Sequence, residues 1–164
     1  MKKLITLVLA VAMMCPAAVL AKKNDEGLVP QYQVEGAGRT SSNADQMQIT
    51  IVTKKKDKVT EDDLCKAAVH AALFRSYDDT TSGEGTHHKS IMDSPTAEAQ
   101  YIDFFEPFFK NGDYRKYVQV VDNSRRVVKS GKEWKVSSMV RVNTMQLTKD
   151  LQKQGMAKTL GTGW

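Results

Sequence analysis

The chain has only two cysteines, Cys15 and Cys65. Cys15 lies in an N-terminal apolar segment, so a chain that loses this segment retains one thiol and forms no intrachain disulfide. Apolar runs of membrane length are also missing beyond residue 21, which predicts a mature chain with no transmembrane segment. The sequence contains no Walker loop, no H-E-x-x-H and no G-x-S-x-G, which removes the commonest signatures of nucleotide, zinc-protease and serine-hydrolase chemistry. Gly36-Ala37-Gly38 with Ser41 fails the third position of G-x-G-x-x-G and is not followed at once by a helix, so no dinucleotide site is expected. Internal repeats and low-complexity tracts are absent. The net charge of +5 is ordinary, and nucleic acid is not an expected partner.

The first 21 residues are the most informative stretch. Lys2 and Lys3 form a positive start, Leu4 to Met14 an apolar run, and Pro16 breaks that run. Val19-Leu20-Ala21 then places suitable residues at the −3 and −1 positions of a signal peptidase. A spanning helix takes about 20 apolar residues, so this shorter run suits a cleaved bacterial export signal. The mature chain is expected to begin near Lys22 and to work in the periplasm or outside the cell. Lipidation at Cys15 ranks below cleavage after Ala21, because Met14 is a poor residue to precede a lipidated cysteine. Lys2 and Lys3 supply two of the 24 basic residues against 19 acidic, so the cleaved chain carries a charge nearer +3. Residues 22–164 have the length of one domain, which can bury roughly 68% of its unfolded surface without a disulfide.

Gln31 to Gly36 reads as a strand, and 36–45 as a Gly/Ser/Asn-rich loop. Met47, Ile49, Ile51 and Thr53 alternate with polar neighbours, the period of a half-buried strand that can pair back on the first. The run KKKDK at 54–58 reads as a solvated strand end, with a patch for an anionic surface as the alternative. Thr60-Glu61-Asp62-Asp63 resembles a capping box and opens a helix to about Arg75. Its Ala67, Ala68, Ala71 and Ala72 form a small-residue face suited to close packing. Residues 78–93 are polar, contain two glycines and lack an apolar period; they are expected to form a flexible loop. Ser94-Pro95 starts a second helix bearing Tyr101, Phe104, Phe105 and Phe108. Pro107 is expected to kink it or end it near Phe105 or Glu106, with Asn111-Gly112 as the final stop. Tyr117 to Lys129 and Glu133 to Asn143 read as a long hairpin turning at Ser130-Gly131. Asn143 or Thr144 then caps a short helix with Leu147 and Leu151 buried and Gly155 after its end. The expected fold is α+β, an antiparallel sheet of two hairpins with helices packed on one face, in the order ββααββα.

Chemistry-bearing residues are few. His87-His88, with Glu84 and Asp93, could gather a metal, but neighbouring loop residues converge only with special geometry. His70 lies five residues after Cys65 on one helix, which turns the two side chains apart. Cys65 reads as a small packed residue, with an intermolecular disulfide as its functional alternative. No cofactor and no catalytic group is expected. The aromatic run from Tyr101 to Phe109 reads first as core packing at helical spacing, but Phe104 and Phe105 cannot both face one core, so one of them is expected to be partly exposed and to mark an interface. Tyr101, Phe104, Phe105 and Phe108 are therefore the candidate interface.

Five segments occur together: VEGAG (34–38), KKKDKV (54–59), EDDLCKAAVHAALFR (61–75), FFEPFF (104–109) and WKVSSMVRVNTMQLTKDLQKQG (134–155). With them the chain resembles a family of small secreted proteins of Bacteroidetes-type gut bacteria. That resemblance implies no activity and carries over no catalytic residue. More distantly, the join Val140, Val142, Leu147, Leu151 is similar to strand–helix–strand–strand envelope domains such as the N-terminal part of a flagellar outer-membrane assembly factor. This similarity speaks for fold and compartment. The expected function is a non-enzymatic envelope module that binds a protein partner. A glycan or cell-wall-fragment binder with 78–93 as its lid is the alternative, and a metal- or cysteine-dependent enzyme ranks third.

Overall fold

The computed structural model describes residues 28–157 apart from 41–43, 80–84, 93 and 95. Residues 1–27, with Cys15 and the expected export signal, and the C-terminal residues 158–164 lie outside the described residues.

Seven strands form one mixed sheet: in spatial order these are β4 (Thr86–His88), β3 (Tyr77–Asp79), β1 (Tyr32–Arg39), β2 (Asp45–Thr53), β7 (Glu133–Val142) and β5 (Val118–Val120), with β6 (Arg126–Ser130) also pairing on β7. β1 (Tyr32–Arg39) and β2 (Asp45–Thr53) are antiparallel, and β2 pairs along β7 (Glu133–Val142) from Asp45↔Val142 to Thr53↔Trp134. Alternation decides which side is buried. Met47, Ile49 and Ile51 of β2 and Val136, Val140 and Val142 of β7 are buried on one face, while Lys135, Ser137 and Arg141 take the other.

α1 (Glu61–Phe74) lies against the buried face. Its start is fixed by a capping box, in which the Thr60 hydroxyl accepts from the Asp63 amide and the Asp63 carboxylate accepts from the Thr60 amide. Leu64 and every residue from Ala67 to Leu73 are buried, so the C-terminal half of this helix is enclosed on all sides while its first turns reach the surface. The alanines let it sit close to the sheet. α2 (Ala97–Gln100) supplies Ala97 to the core, and α3 (Ile102–Lys110) supplies Phe105, Phe108 and Phe109. Phe105 meets Phe74 edge-on at 4.9 Å between ring centroids, and Phe109 lies 6.1 Å from His70. α4 (Thr144–Lys153) is capped by Asn143, whose side chain accepts from the Gln146 amide, and buries Leu147 and Leu151.

Several expectations need correction. The sheet is not purely antiparallel, because β1 pairs in parallel with β3 (Tyr77–Asp79) at Gly36↔Asp79. The element order is ββαββααβββα rather than ββααββα. Residues 78–93 are not simply a loop: β3 and β4 (Thr86–His88) form an antiparallel pair, and the chain then returns to α1 through Ile91 and Met92 amides donating to Ala72 and Leu73 carbonyls. Gly36 makes this edge possible, since a Cβ there would lie 2.8 Å from the Asp79 Cα. β1 also continues past Gly36 to Arg39, through a bulge with Gly38 at φ +88°.

Pro107 neither ends nor breaks α3, which runs on to Lys110. The interruption comes earlier, at Tyr101 (φ −112°, ψ 30°). A proline inside a helix costs about 3 kcal/mol, but three buried phenylalanines at about 1.5–3 kcal/mol each outweigh it. The expected strand 117–129 is divided into β5 (Val118–Val120) and β6 (Arg126–Ser130). Between them Asn123 adopts φ +56°, and the Ser124 hydroxyl replaces the backbone ladder, accepting from the Met139 amide and meeting the Ser138 hydroxyl at 2.7 Å.

Candidate functional site

Three places gather polar or apolar side chains that the fold alone does not demand. The first joins β1, α1 and α2. His70 is 8% exposed, yet both ring nitrogens are engaged: Tyr32 Oη lies 2.7 Å from Nδ1, and Glu98 Oε1 lies 3.2 Å from Nε2. Burial pushes the imidazole below its ordinary range, against the opposing pull of Glu98. The neutral tautomer with its proton on Nε2 satisfies the chain, since the phenol then donates to Nδ1 and Nε2–H donates to the carboxylate. The Arg75 guanidinium caps the Tyr32 ring at 4.7 Å. The order hydroxyl–imidazole–carboxylate is that of an activated nucleophile. Here, however, the hydroxyl is a buried phenol whose pKa is raised by desolvation. The arrangement therefore holds a proton in place and locks three elements together.

The second is an open cleft of about 820 Å³ between the start of α1 and β5, lined by Asp62, Cys65, Arg115, Arg125 and residues 118–123. Arg115 Nε donates to Asp62 at 2.9 Å, the Tyr114 hydroxyl donates to the same carboxylate, and Lys66 lies 3.3 Å from it. Burial alone would raise the Asp62 pKa, but the hydrogen bonds from Arg115, Tyr114 and Lys66 hold it below the ordinary carboxylate range. Cys65 is half-buried. Desolvation, reinforced by Asp62 and Glu61, pushes its thiol up to about 11, the reverse of what a nucleophilic cysteine needs.

The third is the flank of α3. Phe105 and Phe108 are in the core, 1% and 5% exposed. Tyr101 and Phe104 are only half-buried and Pro107 is exposed. Phe104 and Pro107 follow at i, i+3 spacing on α3, Tyr101 precedes them at the break between α2 and α3, and the Phe104 ring rests on Phe105 and Phe108. Of the four candidate interface residues, two thus complete the core and two remain at the surface.

The histidine pair does not converge. On a strand, neighbours face opposite ways: His87 Nδ1 meets Asp78 Oδ1 at 2.7 Å on one side, while His88 stacks on Tyr77 at 4.9 Å on the other. Glu84 and Asp93 lie outside the described residues. Among the described residues no three His, Cys, Asp or Glu side chains are grouped to hold a metal. β3 and β4 occupy the opposite edge of the sheet from β5, which lines the cleft, with β3 four strand spacings or roughly 19 Å away. The Tyr32–His70–Glu98 chain escaped sequence reasoning because its members are 38 and 28 residues apart. The one local signal was a histidine in the middle of an otherwise apolar helix.

No family model, curated protein or solved structure matches this chain. Among the described residues, no helix is long and apolar enough to cross a membrane.

Proposed function

We propose that the protein is an exported, non-enzymatic module that binds another protein of the bacterial cell envelope through the flank of α3. The resemblance to small secreted proteins of gut bacteria belongs to this proposal, as does the export signal at residues 1–21. The observation that carries it is the division of labour along α3. Phe105, Phe108 and Phe109 are buried in the core beside α1, while Tyr101 and Phe104 are only half-buried at its margin, beside exposed Ile102 and Pro107. Such a strip suits a small, transient contact, with an aromatic anchor at its centre.

Phe104→Asp tests it against Phe105→Asp. The first substitution falls on a half-buried ring and is expected to leave a folded protein that no longer captures its envelope partner. The second places a charge in the core and is expected to prevent folding. A folded Phe104→Asp protein with undiminished partner capture would remove α3 from the interface.

The cleft beside Asp62 and Arg115 favours a second reading, a module for a small charged ligand or a cell-wall fragment. A thermal-shift screen with glycans and muropeptides tests it; no stabilisation would count against it.

A further inference from the structure

The end of the sheet away from the Arg39–Asp45 turn concentrates unpaired positive charge. The segment after β2 contributes Lys54, Lys55, Lys56 and Lys58, all exposed. The β6–β7 hairpin faces it through Thr53↔Trp134 and contributes Arg126, Lys129, Lys132 and Lys135, also exposed. Asp57 and Glu133 are the acids interspersed among these cations. None of the ion pairs among the described residues uses any of the eight. The charge is therefore concentrated and uncompensated on a chain whose overall balance is modest.

Apolar surface lies on both faces of this end of the sheet. Val128 is 58% exposed, and Val127 and Val52 are close to 40%. Val52, Lys135 and Val128 lie in one cross-strand row on the open face of the sheet, and Val127 and Trp134, one residue out of phase, project from the other face at the same end. Trp134 is half-buried, with the Lys56 ammonium 5.2 Å and the Lys129 ammonium 5.8 Å from its ring. The hairpin is tightly closed, with Gly131 at φ +62° in a two-residue turn.

We propose that this end of the sheet docks on an anionic lipid surface, the lysines on phosphate headgroups and Trp134 with the valines at the headgroup–acyl boundary. Lysines with apolar stems around an amphipathic ring are the composition of an interfacial contact. A polyanion such as nucleic acid would be served by the cations but has no use for three exposed valines. The surface shares no residue with α3, so it stands or falls separately from the partner site.

The test is co-sedimentation of the mature chain with vesicles of phosphatidylcholine alone and of phosphatidylcholine with about one-third phosphatidylglycerol. Binding is expected only to the anionic vesicles, declining steeply as salt shortens the screening length. Each cation at such a surface contributes a factor of about five, so K54Q/K55Q/K56Q is expected to weaken partitioning on the order of 100-fold. These side chains are exposed, and far-UV circular dichroism verifies that the variant keeps its fold. In a Trp164→Phe background, Trp134 emission is expected to shift to the blue on anionic vesicles, and Val128→Asp to suppress that shift. Equal binding to neutral vesicles, an unaffected lysine variant, or binding to a heparin oligosaccharide or DNA with none to vesicles would overturn the proposal.

Discussion

Replacing Tyr32 by phenylalanine removes one oxygen and leaves the ring beneath Arg75. In the native protein that oxygen lies 2.7 Å from His70 Nδ1, and no buried side-chain nitrogen or oxygen among the described residues lacks a partner. The variant creates one that does. A buried acceptor stripped of its donor loses about 1–3 kcal/mol. For a domain of this size, a loss of about 2 kcal/mol lowers Tm by about 6–10 °C. Urea unfolding followed by circular dichroism measures the same difference as a shift in midpoint at constant slope. A double-mutant cycle isolates the cause. His70→Phe alone orphans the phenol, whereas the pair Tyr32→Phe/His70→Phe removes both polar groups together. The double variant is therefore expected to lose less than the sum of the singles, by about 0.5–3 kcal/mol. A Tyr32→Phe protein within about 0.5 kcal/mol of the parent, or strict additivity, would refute the assignment of this bond as a lock between β1 and α1.

His70 also predicts an acid-side loss of stability. Its folded pKa lies below the unfolded value of 6.5, so the unfolded chain takes up the proton first and stability falls as pH drops below about 6.5. Unfolding titrations of the parent and His70→Gln should differ in slope in that window and run parallel above it; identical slopes would remove His70 as the cause. Gly36→Ala drives a methyl against the Asp79 backbone at 2.8 Å and should detach the β3–β4 edge, visible as faster amide exchange at 77–79 and 86–88 with the β2–β7 amides still protected. With its thiol pushed up to about 11, Cys65 should alkylate far more slowly in the native protein than in urea at pH 8. Equal rates would show that it is neither desolvated nor shadowed by Asp62.

Much of the fold is legible because its elements are locally specified. The alternation around Met47, Ile49 and Ile51, the Thr60 cap, the Asn143 cap and the Leu147/Leu151 pair each encode their structure within a few residues. What escapes a local reading depends on distant partners. β3 and β4 are three residues long and polar, and exist because Gly36 allows the backbone of β1 to come close. The split between β5 and β6 depends on the Ser124 hydroxyl finding Ser138 and Met139 across the sheet. Pro107 is tolerated because flanking phenylalanines are anchored in a core that a helix-by-helix reading does not contain. At the candidate site, Phe104 and Phe105 do not point to opposite sides: their rings meet edge-on at 5.1 Å, with Phe105 in the core and Phe104 half-buried against it. Which of them lies deeper is decided by α1, whose Phe74 takes the Phe105 ring. The basic surface was visible only in half, as KKKDK; the facing cations of the β6–β7 hairpin join it through strand pairing.

The most direct test of the binding account is site-directed photocrosslinking of the full chain in its native cell envelope, from position 104 and, as a control, from the exposed position 87. One dominant protein adduct from 104 that is absent from 87, and lost on adding Phe104's neighbour substitution Tyr101→Asp, is the result the account predicts. No adduct from 104, or the same adducts from both positions, would contradict it.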